Sequence, residues 1–326
     1  MHAIEVEQTQ SGPRLVWQEV EDPVPQPGEA LVSIHATTLN RADLSQAEGN
    51  YPPPPGAPHI MGLDMSGEIL ELGAGVEGWQ VGDKVCALLA GGGYAERVAV
   101  DQRLLIPIPS GWSFEEAACL AEVYLTAYVN IFMEAGFQAG ETILIHGGAS
   151  GVGTAAIQLV KDAGGRVITT AGRPDKVETC LDQGADLAIN YRTEDFVART
   201  LAYTDGEGVD VVLDMVGAEY LERNIDLLKV KGRLVFIATL GGSEAMVDIR
   251  QLMGRRARLI GSVLRPRSVV EKAEIIRRFR RQFWGQIEEG LIRPVIDKVL
   301  PVAEAHAAHE RMRTYENIGK IVLKVR

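Results

Sequence analysis

The 326-residue chain carries 44 acidic against 33 basic side chains, a formal net charge of -11, with 46% hydrophobic residues. That balance supports two domains with substantial cores and excludes a disordered or membrane-embedded chain. The net charge opposes binding to nucleic acid or anionic lipid. No apolar run reaches the ~18 residues of a membrane span. The first ten residues lack the basic and apolar segments of a secretory signal. Cys86, Cys119 and Cys180 have no CxxC spacing, so a cytoplasmic protein without disulfides or a cysteine-based metal site is expected.

Along the chain, residues 1–120 alternate short apolar segments (30–36, 65–72, 84–89 and 93–100) with turns rich in Gly and Pro, which predicts a β-rich domain. The run Tyr51-Pro-Pro-Pro-Pro-Gly56 reads as a stiff loop, because proline fixes φ and donates no N–H. Residues 115–132 are predicted helical. Strands are then predicted at 142–146, 166–170, 187–190, 209–213, 233–238 and 259–263, with helices at 154–163, 176–183, 194–201 and 220–227 between them. Such alternation predicts a parallel, doubly wound sheet with helices on both faces. A helix over 269–289 and a mixed segment over 295–326 complete the chain.

Ile143-Leu-Ile-His-Gly-Gly-Ala-Ser-Gly-Val-Gly153 follows a predicted strand and opens a predicted helix, the context that makes a glycine pattern specific for dinucleotides. Gly148 and Gly153 match the outer glycines of G-x-G-x-x-G, and Ser150 replaces the middle one. Gly148, Ala149, Ser150, Gly151, Val152 and Gly153 would cradle the pyrophosphate on the helix N-terminus, where free N–H groups and the dipole favour an anion. Where NAD enzymes carry an acid for the ribose 2′-OH, the second strand ends Ala171-Gly-Arg-Pro-Asp-Lys176. Arg173 and Lys176 without an acid at the strand tip favour a 2′-phosphate, hence NADPH over NADH. Asp175 pulls the other way, unless it serves only the helix dipole.

With these residues in place, the sequence resembles the quinone oxidoreductase branch of the medium-chain dehydrogenase/reductase superfamily. The carriers are Asn40-Arg-Ala-Asp-Leu44, Gly62-Leu-Asp-Met-Ser-Gly67, Val81-Gly-Asp-Lys84, Gly91-Gly-Gly-Tyr-Ala-Glu96, Leu125-Thr-Ala-Tyr128, His146–Gly153 and Asn317-Ile-Gly-Lys320. Tyr51–Gly56 and Leu264-Arg-Pro-Arg267 bring it nearer to the tumour-suppressor-inducible group of that branch than to zeta-crystallin. The resemblance implies a GroES-like substrate domain over 1–122 and 265–326, a Rossmann domain over 123–264, and an active cleft between them. Zinc-dependent members place a Cys and, about 25 residues on, a His-Glu pair at the cleft. Asn40 and Leu63-Asp64 stand there instead, too poor a ligand set for tetrahedral zinc, so no metal is expected.

The resemblance further places Asn40, Tyr51 and Ser150 around the nicotinamide and quinone, and makes Thr126 a cofactor contact. It puts Lys176 and Tyr191 on the 2′-phosphate, with Arg173 as added charge. Val216, Gly217, Ala238, Thr239, Leu240, Leu264 and Asn317 fall on the nicotinamide side. It implies an NADPH:quinone oxidoreductase. The nicotinamide carries the hard chemistry, and a conjugated acceptor takes hydride without a Lewis acid. Tyr51 is either a hydrogen-bond donor to the developing oxyanion or an aromatic lid, and solvent is a sufficient proton source.

Enoyl or alkenal reduction is the enzymatic alternative. An NADPH-binding structural or RNA-binding protein is the alternative of another class. The arginines between 250 and 281 lack the aromatic interleaving of a single-strand binder, so ion pairs or a solvated face are expected of them. His306 and His309 are expected at the surface. No Ser/His/Asp triad is expected, since no His has a suitable local partner. A homodimer is expected, formed where strand 259–263 meets its copy.

Overall fold

In a computed structural model the described residues are 1–10 and 12–326. They divide into two compact units, Met1–Leu125 with Leu264–Arg326, and Thr126–Val263.

The first unit opens with the antiparallel hairpin β1 (His2–Thr9) and β2 (Gly12–Glu19). β3 (Glu29–Thr38) leads into α1 (Arg41–Ala47), whose N-cap is Asn40. The chain then makes β4 (Asp64–Leu72), β5 (Lys84–Leu88), β6 (Arg97–Asp101) and β7 (Leu105–Pro107). β3 is the spine of this sheet: it pairs antiparallel with β4 and β6, and its register against β4 shifts twice, at Leu70 of β4 and at His35 of β3. The predicted strand at 93–100 starts only at Arg97, because Gly91–Tyr94 is held by a loop of backbone bonds to Ile60, Met61 and Gly62.

The single helix predicted over 115–132 is three pieces: α2 (Phe114–Ala118), α3 (Ala121–Tyr128) and a π-helical turn, Val129–Glu134. Ser113 and Glu116 form a capping box that starts α2. The unit boundary falls within α3.

The second unit is a six-stranded, wholly parallel sheet. Its strands are β8 (Thr142–Ile145), β9 (Arg166–Ala171), β10 (Leu187–Asn190), β11 (Val209–Asp214), β12 (Leu228–Phe236) and β13 (Arg258–Gly261). Between them run α4 (Gly151–Asp162), α5 (Pro174–Asp182), α6 (Phe196–Tyr203), α7 (Leu221–Leu227) and α8 (Ile249–Arg255). The order β10-β9-β8-β11-β12-β13 is the doubly wound dinucleotide-binding order, with the direction of winding reversing between β8 and β11. β8 is buried at every position, as a central strand covered on both faces requires.

The chain returns to the first unit through α9 (Val269–Glu288), which a Ser268–Glu271 capping box starts and whose apolar face buries Ile275, Ile276, Phe279, Phe283 and Ile287. β14 (Ile296–Pro301), α10 (Ala305–Arg313) and β15 (Lys320–Lys324) follow. β15 pairs with β3 at Val322–Thr38 through Lys324–Ala36, so residues nearly 300 positions apart in sequence become sheet neighbours. No described helix is long and apolar enough to cross a membrane.

Candidate functional site

In the second unit the candidate residues gather at the carboxyl ends of β8, β9, β11 and β12, the edge where open α/β sheets bind ligands. The turn after β8 has no room for a side chain at Gly148 or Gly153. A Cβ on Gly148 would lie 1.8 Å from the Thr169 hydroxyl, and one on Gly153 would lie 2.3 Å from the Gly147 carbonyl. Ser150 caps α4, its Oγ accepting the Gly153 N–H at 3.0 Å. The hydroxyl proton is still available to a ligand, and the N–H groups of Gly151 and Val152 have no intrahelical acceptors by helix geometry. Main-chain donors at a helix start fit a pyrophosphate.

At the tip of β9, Tyr191 lies beside Gly172, Arg173 is the N-cap of α5, and Lys176 follows in the first turn of that helix. A Cβ on Gly172 would lie 2.7 Å from the Tyr191 hydroxyl, so the phenol lies against the strand tip. Arg173 is bound by Asp175 at 2.7 and 3.0 Å. Asp175 therefore neutralises part of the charge at the tip and is more than a helix-dipole partner.

The loops after β11 and β12 are tied to each other. The N–H groups of Leu240 and Gly241 donate to Met215 and Val216, and Ala218 donates to Gly242. Val216, Gly217, Ala238, Thr239 and Leu240 thus form one paired rim. Beneath it runs a buried polar chain. His146 Nδ1 lies 3.0 Å from the Thr170 hydroxyl and Nε2 2.7 Å from Asn224 Oδ1. Asn224 Nδ2 donates to Asp214, whose carboxylate accepts the Val216 and Gly217 N–H groups. His146 therefore does have partners, all distant in sequence and none a nucleophile beside an acid. Burial depresses its pKa to about 4, and it stays neutral at pH 7. Thr126 is half-buried on α3, its carbonyl accepting from Asn130 Nδ2.

In the first unit, Asn40 lies at the centre of a buried cluster that the sequence does not announce. Asp64, with no exposed surface, accepts from Thr38 N at 2.9 Å, Thr38 Oγ1 at 2.7 Å and Asn40 Nδ2 at 3.1 Å. Lys320 Nζ donates to Asn40 Oδ1 at 2.7 Å and Leu39 O at 2.9 Å, and lies 3.4 Å from Asp64 Oδ2. A second carboxylate, Asp43, accepts the Asn40 N–H at 2.8 Å and the Tyr94 hydroxyl at 3.2 Å. Burial raises its pKa to about 6. The Tyr94 hydroxyl also meets His309 Nε2 at 3.3 Å. His309 is thus buried, contrary to the surface position expected of it, because α10 turns it inward while His306 stays exposed.

Tyr51 begins the proline loop, and its hydroxyl bonds to no described residue. Arg265 fastens the loop: its guanidinium donates to Tyr51 O, Ala90 O and Gln46 Oε1, and lies 5.2 Å from the Tyr51 ring centroid. Desolvation, then the nearby Glu122, raise the Tyr51 pKa, so the phenol stays protonated. Glu122 Oε2 is buried without a partner. Burial, with Asp64 next, pushes that carboxyl to about 8, so it holds a proton at neutral pH. Leu264 is buried, and Asn317 donates to Gly319 O at 3.0 Å.

Among the described residues no group of three or more His, Cys, Asp or Glu side chains is arranged to hold a metal ion. In the basic stretch Arg277 and Arg278 pair with Glu274, and Arg280 stacks on Trp284.

Residues 26–110 match the alcohol dehydrogenase GroES-like domain family, and residues 151–277 match the zinc-binding dehydrogenase family. A quinone oxidoreductase of Rattus norvegicus is 30% identical over 307 residues, covering 94% of this chain and 92% of that protein. The structure of an NAD-dependent alcohol dehydrogenase superposes with a TM-score of 0.88 at 31% identity, covering 100% of both chains. The CurK enoyl reductase superposes at 0.85 and 29% identity, covering 99% of this chain and 98% of that one. A mycobacterial protein complexed with NADPH superposes at 0.87 and 28%, covering 99% and 100%. The chain is a dehydrogenase/reductase of the medium-chain type and belongs to the quinone oxidoreductase branch of that superfamily.

Proposed function

We propose that this chain is an NADPH-dependent quinone reductase that works without a metal ion. The observation that carries this reading is the Lys320 ammonium, 2.7 Å from Asn40 and 3.4 Å from Asp64. Asn40 and Asp64, at the positions where zinc relatives place the Cys and the Glu of the His-Glu pair, are here engaged by a lysine. A conjugated acceptor suits such a site, since its developing charge needs hydrogen-bond donors rather than a Lewis acid.

The glycine turn and the start of α4 hold the pyrophosphate in this reading, and Lys176, Arg173 and Tyr191 hold the 2′-phosphate. Thr126 contacts the cofactor, and Val216, Gly217, Ala238, Thr239, Leu240, Leu264 and Asn317 are assigned to its nicotinamide side. When bound, NADPH supplies the hydride. Asn40 and the protonated Tyr51 donate hydrogen bonds to the acceptor oxygen on which charge develops, and Ser150 offers its hydroxyl to the bound ligand. A proton from solvent completes the reduction to hydroquinone. Two copies would associate through β13, an edge strand whose Leu259 is 37% exposed.

Likeness to the CurK enoyl reductase favours a second reading, reduction of an enone or enoyl thioester. Steady-state assays with NADPH and with NADH, each against an ortho-quinone, an enone and an enoyl thioester, separate the two. Faster quinone turnover with NADPH is expected. Preferential enoyl turnover would replace the reading with its rival, and NADPH binding without oxidation by any acceptor would make the chain a binding protein. Sedimentation as a monomer at micromolar concentration would overturn the dimer.

A further inference from the structure

We propose that Lys320 and Asp64 are positioning residues: together they fix the orientation of the Asn40 amide and polarise it as an oxyanion donor. The inference rests on the reading of Asn40 as an acceptor contact. It adds what makes an ordinary asparagine fit for that task.

An asparagine amide has one acceptor oxygen and two N–H donors, and its two orientations are nearly isosteric. Here the two ends face opposite charges. Oδ1 accepts from the Lys320 ammonium at 2.7 Å, and Nδ2 donates to the Asp64 carboxylate at 3.1 Å. Rotating the amide by half a turn would set N–H groups against an ammonium and a carbonyl against a carboxylate. In a site where Lys320 is 3% and Asp64 0% exposed, both mismatches go unscreened by water. One orientation therefore survives.

In that orientation one Nδ2–H is bound by Asp64 and the other is not, and Asn40 keeps 8% of its surface accessible. The ammonium on Oδ1 withdraws electron density through the amide and strengthens the second N–H as a donor. The backbone closes the other escape: Asn40 N is held by Asp43 at 2.8 Å and Lys320 is also anchored on Leu39 O at 2.9 Å. The positive charge thus acts on the acceptor oxygen through an intervening amide, pre-aimed before any ligand arrives.

The test is a double-mutant cycle between Asn40→Ala and the neutral pair Lys320→Met/Asp64→Asn. Two readouts are used: kcat for quinone reduction, and the affinity of cofactor-free protein for 4-nitrophenolate, a stable oxyanion. In the native background Asn40→Ala should lower kcat about a hundredfold, the scale of a lost oxyanion donor, and weaken nitrophenolate binding about tenfold. In the neutral pair the same substitution should cost less than about threefold and twofold, because the donor is no longer aimed or polarised. Equal losses in both backgrounds would overturn the proposal, with Asn40 still an acceptor contact. A native protein that turns over quinone yet ignores Asn40→Ala would overturn it by removing Asn40 from the site. A native protein that neither reduces quinone nor binds nitrophenolate would sink the functional reading, and this inference with it. Thermal unfolding controls for folding. A neutral pair that does not fold would make Lys320 and Asp64 a folding element and overturn the assignment. Lys320→Arg keeps the charge and should retain at least about a third of native kcat, and a loss as large as that of the neutral pair would also count against it.

Discussion

The two units build their polar sites by opposite means. The central unit lines its ligand-facing edge with backbone, over a buried side-chain network from His146 to Asp214: glycine turns, the first N–H groups of α4 and two loops zipped by main-chain bonds. The discontinuous unit uses charged side chains in a dry interior, with Lys320, Asp64 and Asp43 arranged around one asparagine. A backbone cradle is supported wherever its strands form, so it tolerates an exposed position. A buried ion cluster stands only while every member is present, because each member removed strands a desolvated charge.

That contrast sets an order of expected effects. Asp64→Ala leaves the Lys320 ammonium without its counter-charge and should destabilise the protein by about 3–5 kcal/mol; chemical denaturation measures it, and a cost under about 1 kcal/mol would break the comparison. In the central unit, His146→Gln keeps a donor for Asn224 and an acceptor for Thr170 while removing a titrating group. The wild-type His is depressed from 6.5 to about 4, so the unfolded chain binds its proton first as pH falls. Wild-type stability should fall relative to the variant between pH 6.5 and about 4, by no more than about 3 kcal/mol, and the two should run parallel above pH 7. Denaturation midpoints across that range check the sign.

Lys176→Glu should weaken NADPH about a hundredfold and NADH far less, the loss of a charge-assisted phosphate contact being about 2–3 kcal/mol. Fluorescence titration decides it, and equal losses would remove the 2′-phosphate from the tip of β9. The smallest effect belongs to the surface. Glu274 carries both Arg277 and Arg278 but lies in solvent, so Glu274→Ala should leave the melting temperature and NADPH affinity unchanged.

The legibility of the two units differs for the same reason. The cradle's members, Gly148 through Gly153, are consecutive, so composition and order alone point to it. The strands of the central sheet are likewise local apolar runs and emerge within a residue or two, except β12, which begins at Leu228 rather than 233. The cluster of the first unit draws on Thr38, Asp64 and Lys320, which meet only because β4 and β15 both pair with β3. Asn317-Ile-Gly-Lys320 marks the family, but nothing near Lys320 in sequence shows that its ammonium is buried against Asn40 and Asp64. Glu122 and His309 were hidden in the same way: a carboxyl that holds its proton and an imidazole that refuses one are products of burial. The three-piece helix over 114–134 was missed because its apolar residues run continuously and give no period to read.

The sequence alone determined the alternation of strand and helix, the glycine turn, the charged tip of the second strand and the absence of a Cys and His-Glu set at Asn40 and Leu63-Asp64. All of these are properties of neighbouring residues, carried by local backbone preference and side-chain type. Tertiary structure decided which polar groups are dry, which charges face one another and which end of the Asn40 amide points where. Those outcomes depend on desolvation and on pairings between distant strands, and neither exists until the chain has folded.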